Sequence, residues 1–348
     1  MNKLKQLRVK AGMTQAKLAN AVDVSQPNYH RWEADKDPIP EAKLEKLAAA
    51  LKTTPEAILG KHPPIEAAFY DDSAPKNLQY YGEVAIHFLS GSKPLLLSIS
   101  EEAFQRLHRD LQRQKKFVAL QSLSNQTVAI RTEAISDLYF SSEAYDDYGP
   151  EHETGKYDDH VSLQLPDNRD WEIIECLSSD FGDEDFDEAD VRRVQNRIMI
   201  TDEQYKKLVA DGRIKAEDLE EERKKNTAET DRIFELANHV VYQLSTGERR
   251  SVFIEGGDED LFAAFYPLVD FGDMHEDDEM ILFRNAGYHR TIFINPLALD
   301  YVSLPTHKFE AGSLEMEAEA LDAFGDGDDP TPTTAKNKKK RQTKPTEN

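Results

Sequence analysis

Between residues 26 and 31 the chain carries Gln26, Asn28, His30 and Arg31. Two side-chain amides, an imidazole and a guanidinium this close together have the chemistry of hydrogen bonding to base edges. Gln and Asn can pair with adenine N6 and N7. Arg31 is the strongest member, because a guanidinium grips guanine O6 and N7 together, worth about 1–3 kcal/mol of discrimination. Pro27 lies among them and can touch a thymine methyl, but it has no donor. Other motifs fall short of the chemistry they suggest. Asp180-Phe181-Gly182 and Asp270-Phe271-Gly272 spell DFG, yet no Gly-rich loop, strand lysine or HRD loop accompanies them. His275-Glu276-Asp277-Asp278-Glu279 lacks the second histidine of a zinc-peptidase helix. The group His152, Asp158, Asp159 and His160 has neither cysteine pairs nor helical histidine spacing, and the acidic runs lack the calcium-loop pattern. Nor is there a convincing self-cleavage site with a Ser/Lys dyad. No catalytic residue, metal or cofactor is expected.

The elements that must present Gln26 to Arg31 are written around them. Thr14 caps a first short helix, with Leu18 and Val22 on one face. Asp23 stands at the tight turn, being one of the few residues besides glycine that tolerates a left-handed backbone. Ser25 is a second N-cap, and Pro27 sits in the first turn, where a missing N–H costs little. Tyr29 and Trp32 are three apart and pack inward, leaving the polar side chains outside. A helix from about Asn2 to Ala11 precedes this pair and ends at Gly12. Leu44, Leu47, Ala48 and Leu51 mark a fourth helix, and Thr54-Pro55-Glu56 starts a fifth.

The run LRVKAGMTQAKLANAVDVSQPNYHRWE with the later PEAKLEKLAAALKTTPEAIL resembles the phage-repressor/Cro type of helix-turn-helix, the XRE family. The resemblance covers about residues 2–60, roughly a sixth of the chain. It implies a five-helix DNA-binding domain with the helix at Gln26 to Ala34 in the major groove. It also implies an ion pair between Arg8 and Glu33 that ties the first helix to the reader. Gln15 is implied to hold a phosphate at the start of the second helix, where anions are favoured. Lys10, Lys17 and Lys36 are further expected phosphate contacts. Two departures from the family pattern are Asp23, where glycine is usual, and Pro27.

The net charge of −23 over 348 residues looks unsuited to DNA until it is divided. Residues 1–60 carry +3, residues 336–348 carry +5, and 61–335 carry −31. An acidic body repelled by phosphate would orient the head toward DNA and suppress non-specific binding; it also serves solubility. The single cysteine, Cys176, excludes an internal disulfide and suits a reducing compartment. The N-terminus has no signal-peptide core, and no stretch reaches the ~18 apolar residues of a membrane helix. A cytoplasmic protein of bacterial type, nucleoid-associated when on DNA, is expected.

After a polar, proline-bearing linker at 61–76, the body holds a weak internal repeat. One copy lies within 77–140 and the other within 238–310. Each reads strand, strand, helix, strand, strand. The endings share Thr-(Val/Ile)-x-Ile-x-x-x-Ala-(Ile/Leu)-x-x-(Leu/Val). The helices are expected over Glu101 to Gln114 and Asp258 to Val269. The fold class is thus multidomain: an all-α helix-turn-helix head at 1–60 and an α+β body of two ββαββ-like repeats. Between the copies, 141–237 reads as an acidic loop, a strand at His160 to Leu165, an apolar run at Trp171 to Leu177, and charged helices, one capped by Thr201 and one acting as a solvated connector. Residues 311–348 read as a disordered tail ending in a basic run.

The expected function is a sequence-specific transcriptional regulator, a repressor, acting on an operator in double-stranded DNA. One head offers few base contacts, so a homodimer reading half-sites about one helical turn apart is expected. The acidic body would serve oligomerisation or sense a small-molecule effector. The alternative is an antitoxin or defence-system interaction protein whose acidic body binds a basic protein partner.

Overall fold

The computed structural model describes residues 2–113, 115–144, 147, 149–150, 161–179, 186–272 and 279–324. The chain forms two compact units. Leu4–Pro55 belongs with residues 317–324, and the described residues of Glu56–Met316 belong with residues 2–3.

In the first unit, α1 (Leu4–Lys10), α2 (Gln15–Ala21), α3 (Gln26–Glu33) and α4 (Glu41–Leu51) are short helices. A fifth, α5 (Pro55–Ile58), begins at the unit's last head residue. Thr14 caps α2 by accepting from the Lys17 backbone N–H at 3.1 Å. Asp23 takes the left-handed turn at φ 55°. Two lysines of α4 brace that turn: Lys43 Nζ donates to the Val22 and Asp23 carbonyls, and Lys46 Nζ donates to the Asp23 carboxylate at 2.7 Å. Lys46 thereby lowers the Asp23 pKa. Ser25 stands at the N-cap of α3 with an extended backbone, but its hydroxyl makes no capping hydrogen bond. Leu4, Leu18, Val22, Tyr29 and Leu47 are fully buried.

The second unit is α+β. Its strands and helices are β1 (Tyr80–Phe88), β2 (Leu95–Ser100), α6 (Glu101–Leu111), β3 (Phe117–Gln121), β4 (Gln126–Arg131) and β5 (Ile135–Ser142). Next come α7 (Asn168–Ser178), α8 (Glu188–Ile198), α9 (Asp202–Ala210) and α10 (Leu219–Asn238). After them come β6 (His239–Leu244), β7 (Arg249–Phe253), α11 (Asp258–Tyr266), β8 (Ile281–Tyr288), β9 (Arg290–Ile294), β10 (Leu299–Pro305) and α12 (Thr306–Phe324), of which residues 306–316 belong to this unit. The order of elements in the two repeat stretches is the same, but their sheets are not self-contained. β2-β1-β5 form one sheet, β8-β9 a hairpin, and β3-β4-β10-β6-β7 a shared five-stranded sheet. β4 runs antiparallel to β10, pairing Ile130 with Tyr301 and Ala129 with Val302. Alternation along β4 sends Val128 and Ile130 to one core, with Ile86, Leu97 and Leu107, and Ala129 to the other, with Phe265 and Phe283.

Four expectations are corrected. Residues 61–76 are tied into the second unit: Ala68 pairs with Gln79, and the Ile65 N–H lies 3.2 Å from Asp167 Oδ2. Residues 161–167 form no strand; Leu165 instead accepts the Trp171 indole N–H at 2.7 Å. The long helix α10 is no solvated connector, because Ile233 and Ala237 are buried with Trp171, Ile174 and Val194 in a third core. Residues 311–324 are not a tail but the greater part of α12. Glycine is required inside that helix: a Cβ on Gly312 would stand 2.0 Å from the Asp258 carbonyl oxygen. The basic run beyond 336 lies outside the described residues.

Candidate nucleic-acid interface

The reader helix α3 divides into two faces. Tyr29 and Trp32 are buried, while Gln26, Asn28, His30 and Arg31 are exposed. The division follows from helical spacing, since residues three or four apart share a side. α3 packs on α1 and α2, and α2 on α4, so the inner face is held on two sides.

At the base of α3 lies a buried polar cluster. Arg8 Nε donates to Glu33 Oε1 at 2.6 Å, with both side chains almost wholly buried. Glu33 also accepts from the Tyr29 hydroxyl at 2.7 Å and from Gln15 Nε2 at 2.7 Å. Arg8 Nη1 reaches the Met13 carbonyl at 2.9 Å. Burial opposes the Arg8 charge, but the Glu33 hydrogen bond and charge outweigh it and raise the Arg8 pKa. Burial and the adjacent Glu33 together hold the Tyr29 phenol far above its ordinary value, so it remains a donor. Breaking a buried pair of this kind leaves an uncompensated charge and costs about 3–5 kcal/mol.

Arg31 is engaged differently. It forms a two-pronged pair with Asp37, Nε to Oδ2 at 2.5 Å and Nη2 to Oδ1 at 3.0 Å, in the open. The hydrogen bond from Arg31 lowers the Asp37 pKa. The two-pronged grip on a carboxylate uses the same fork that would grip guanine. His30 Nδ1 lies 3.5 Å from Gln15 Nε2. Lys10, Lys17 and Lys36 are exposed on the same unit.

Gln15 sits where the second helix begins, and its backbone N–H donates to Asp322 Oδ1 at 2.7 Å. The same oxygen lies 3.3 Å from Arg8 Nη1. Three partners go beyond the motifs in the sequence: Tyr29 as a donor to Glu33, Asp37 on Arg31, and Asp322. The first is a four-residue helical spacing and the second six residues of local sequence, so both had a local signal. Asp322 had none.

Of the other motifs considered, the His152–His160 group, the first DFG and His275 to Asp278 lie outside the described residues. In the second DFG, the Gly272 carbonyl accepts from the Phe117 N–H at 2.9 Å, and a Cβ on Gly272 would stand 2.5 Å from the Phe117 carbonyl oxygen. That glycine is explained by packing against β3. Among the described residues no helix is long and apolar enough to cross a membrane.

No curated protein and no solved structure matches the chain. Residues 4–58 match the family model of the helix-turn-helix, so the N-terminal head is a helix-turn-helix domain of XRE type and supports a DNA-binding regulator in general.

Proposed function

We propose that this chain is a sequence-specific transcriptional regulator, a repressor, which places α3 in the major groove of operator DNA. The observation that carries the reading is the outer face of α3: Gln26, Asn28, His30 and Arg31 stand exposed on a helix whose inner face is fixed by Tyr29 and Trp32. Arg31 reads guanine, exchanging the exposed Asp37 carboxylate for the base edge. Gln15, Lys10, Lys17 and Lys36 hold phosphates and set the register of the head on the duplex. Two heads in a homodimer read two half-sites, and the acidic body keeps the rest of the molecule off the phosphates.

The charge of −31 over 61–335 also favours a second reading, in which the body binds a basic protein partner in the manner of an antitoxin. In the first reading the acidic body serves oligomerisation or senses a small-molecule effector. We read no catalytic role.

Mapping of bound DNA across the host genome, for wild type and Arg31→Ala, tests the first reading. Sharp peaks over a short inverted repeat, lost in the variant with the fold intact, are the expected result. Peaks indifferent to Arg31 would remove it from the reader set. Absence of peaks together with co-purification of a basic protein would favour the second reading.

A further inference from the structure

The end of α12 is acidic, with Glu317, Glu319 and Asp322, and it belongs to the same compact unit as the head. Ala318 is buried and Leu321 and Asp322 are half-buried, so these turns are packed. Two contacts converge on one carboxylate. Asp322 Oδ1 takes the Gln15 backbone N–H at 2.7 Å. The same oxygen lies 3.3 Å from Arg8 Nη1. The Gln15 side-chain amide meanwhile donates to Glu33 at 2.7 Å.

We propose that the end of α12 is an autoinhibitory strap, in which the Asp322 carboxylate, steadied by Arg8, occupies on the Gln15 N–H the place of a DNA phosphate oxygen. The proposal rests on the reading of Gln15 as a phosphate contact. A carboxylate oxygen and a phosphate oxygen are both anionic acceptors, and one N–H cannot serve both at full strength. Their charges also repel at this range. DNA therefore binds the head only after the strap has left, and the observed affinity is the intrinsic one reduced by the released fraction. The Asp322 side chain is 29% exposed, and the 2.6 Å contact between Arg8 Nε and Glu33 does not involve it, so the strap can leave without breaking that contact. A ligand or partner that captures the end of α12 would switch the head on.

The test is a titration of the full chain against a fluorescent mixed-sequence duplex at fixed ionic strength, with a thermal melt of each protein. Asp322→Ala removes the contact. Asp322→Asn keeps an acceptor but removes the charge. Glu319→Gln removes the same charge from an exposed position three residues away. The proposal expects Asp322→Ala to tighten binding about fivefold or more, the lower end of ordinary coupling between sites, Asp322→Asn to tighten it less, and Glu319→Gln to stay near wild type. Equal tightening by Asp322→Asn and Glu319→Gln would reduce the effect to net charge and overturn the strap. So would weaker binding with a lowered melting temperature in both Asp322 variants, which would make Asp322 a structural cap. DNA binding by wild type that Asp322→Ala leaves unmoved overturns the strap while the DNA-binding reading stands. Failure of wild type and Asp322→Ala alike to bind at low salt overturns both.

Discussion

Two arginine–carboxylate pairs flank the reader helix, and their geometry is nearly the same. Arg8 meets Glu33 at 2.6 Å and Arg31 meets Asp37 at 2.5 Å. Their surroundings are opposite. The first pair is 0% and 1% exposed, the second 55% and 42%. In the buried pair each charge has lost water and depends on its partner, so the pair locks α1 to α3. In the exposed pair water and salt can replace either partner at small cost, so Arg31 is held in a ready orientation and remains free to exchange Asp37 for another acceptor. Identical chemistry serves the fold in one place and is available to a ligand in the other, and burial alone decides which.

That contrast can be broken most forcefully at Glu33. Glu33→Ala removes the shared acceptor of Arg8 Nε, the Tyr29 hydroxyl and the Gln15 amide, and the head should lose about 3–5 kcal/mol. The two tryptophans, Trp32 and Trp171, fall one in each unit. Fluorescence-detected denaturant unfolding in a Trp171→Phe background therefore follows the head, and a midpoint unmoved from that background would show that the buried pair contributes nothing.

A third pair, of intermediate burial, sharpens the comparison through pH. Glu175 accepts from Lys308 Nζ at 2.5 Å and lies 3.4 Å from His307 Nε2. Burial pushes its pKa up, but the His307 hydrogen bond and the Lys308 charge and hydrogen bond bring it down to about 2. Because the folded value is depressed from 4.5, this group's stabilisation is fully present above that pH and is lost as pH falls toward about 2. Acid titration of urea midpoints should decline more gently over that window in Glu175→Gln than in wild type. Parallel declines would dismiss the pair as a source of acid sensitivity.

The smallest effect belongs to the exposed pair. Asp37→Asn should leave the melting temperature near wild type, while DNA binding tightens slightly as Arg31 loses its competitor. A large fall in stability would contradict the assignment of Arg31 to exchangeable contact.

What the sequence made plain and what it concealed divide along the distance between partners. The head's inner and outer faces follow from residues three and four apart, and Asp23 at the turn from its tolerance of a left-handed backbone. The polar face of α3 was visible for the same reason. Helix α12 was hidden because residues 311–348 read as a single tail, and only the Asp258 carbonyl, more than fifty residues before Gly312, shows why a glycine stands inside that helix. The order of strands and helices was legible in the two stretches, but nothing local dictates that β4 should pair with β10. α10 looked solvated because charge dominates its sequence, and the apolar positions Ile233 and Ala237 gain meaning only against α7 and α8. Asp322 could not have been placed from its neighbours, because Gln15 and Arg8 lie some three hundred residues away.

The shared five-stranded sheet also sets an order of events during synthesis. Ile130 of β4 pairs with Tyr301 of β10, about 170 residues later. At ordinary translation rates of roughly 5–20 residues per second, β4 waits about 10–30 s for the strand that covers its edge. The hairpin β3–β4 therefore spends that interval as an open template for other strands. The head, whose helices all lie within the first sixty residues, has by then long left the ribosome. A polypeptide stalled or cut before residue 299 would carry the five head helices without the end of α12, and an unfinished sheet, so nascent or truncated chains should aggregate through the body.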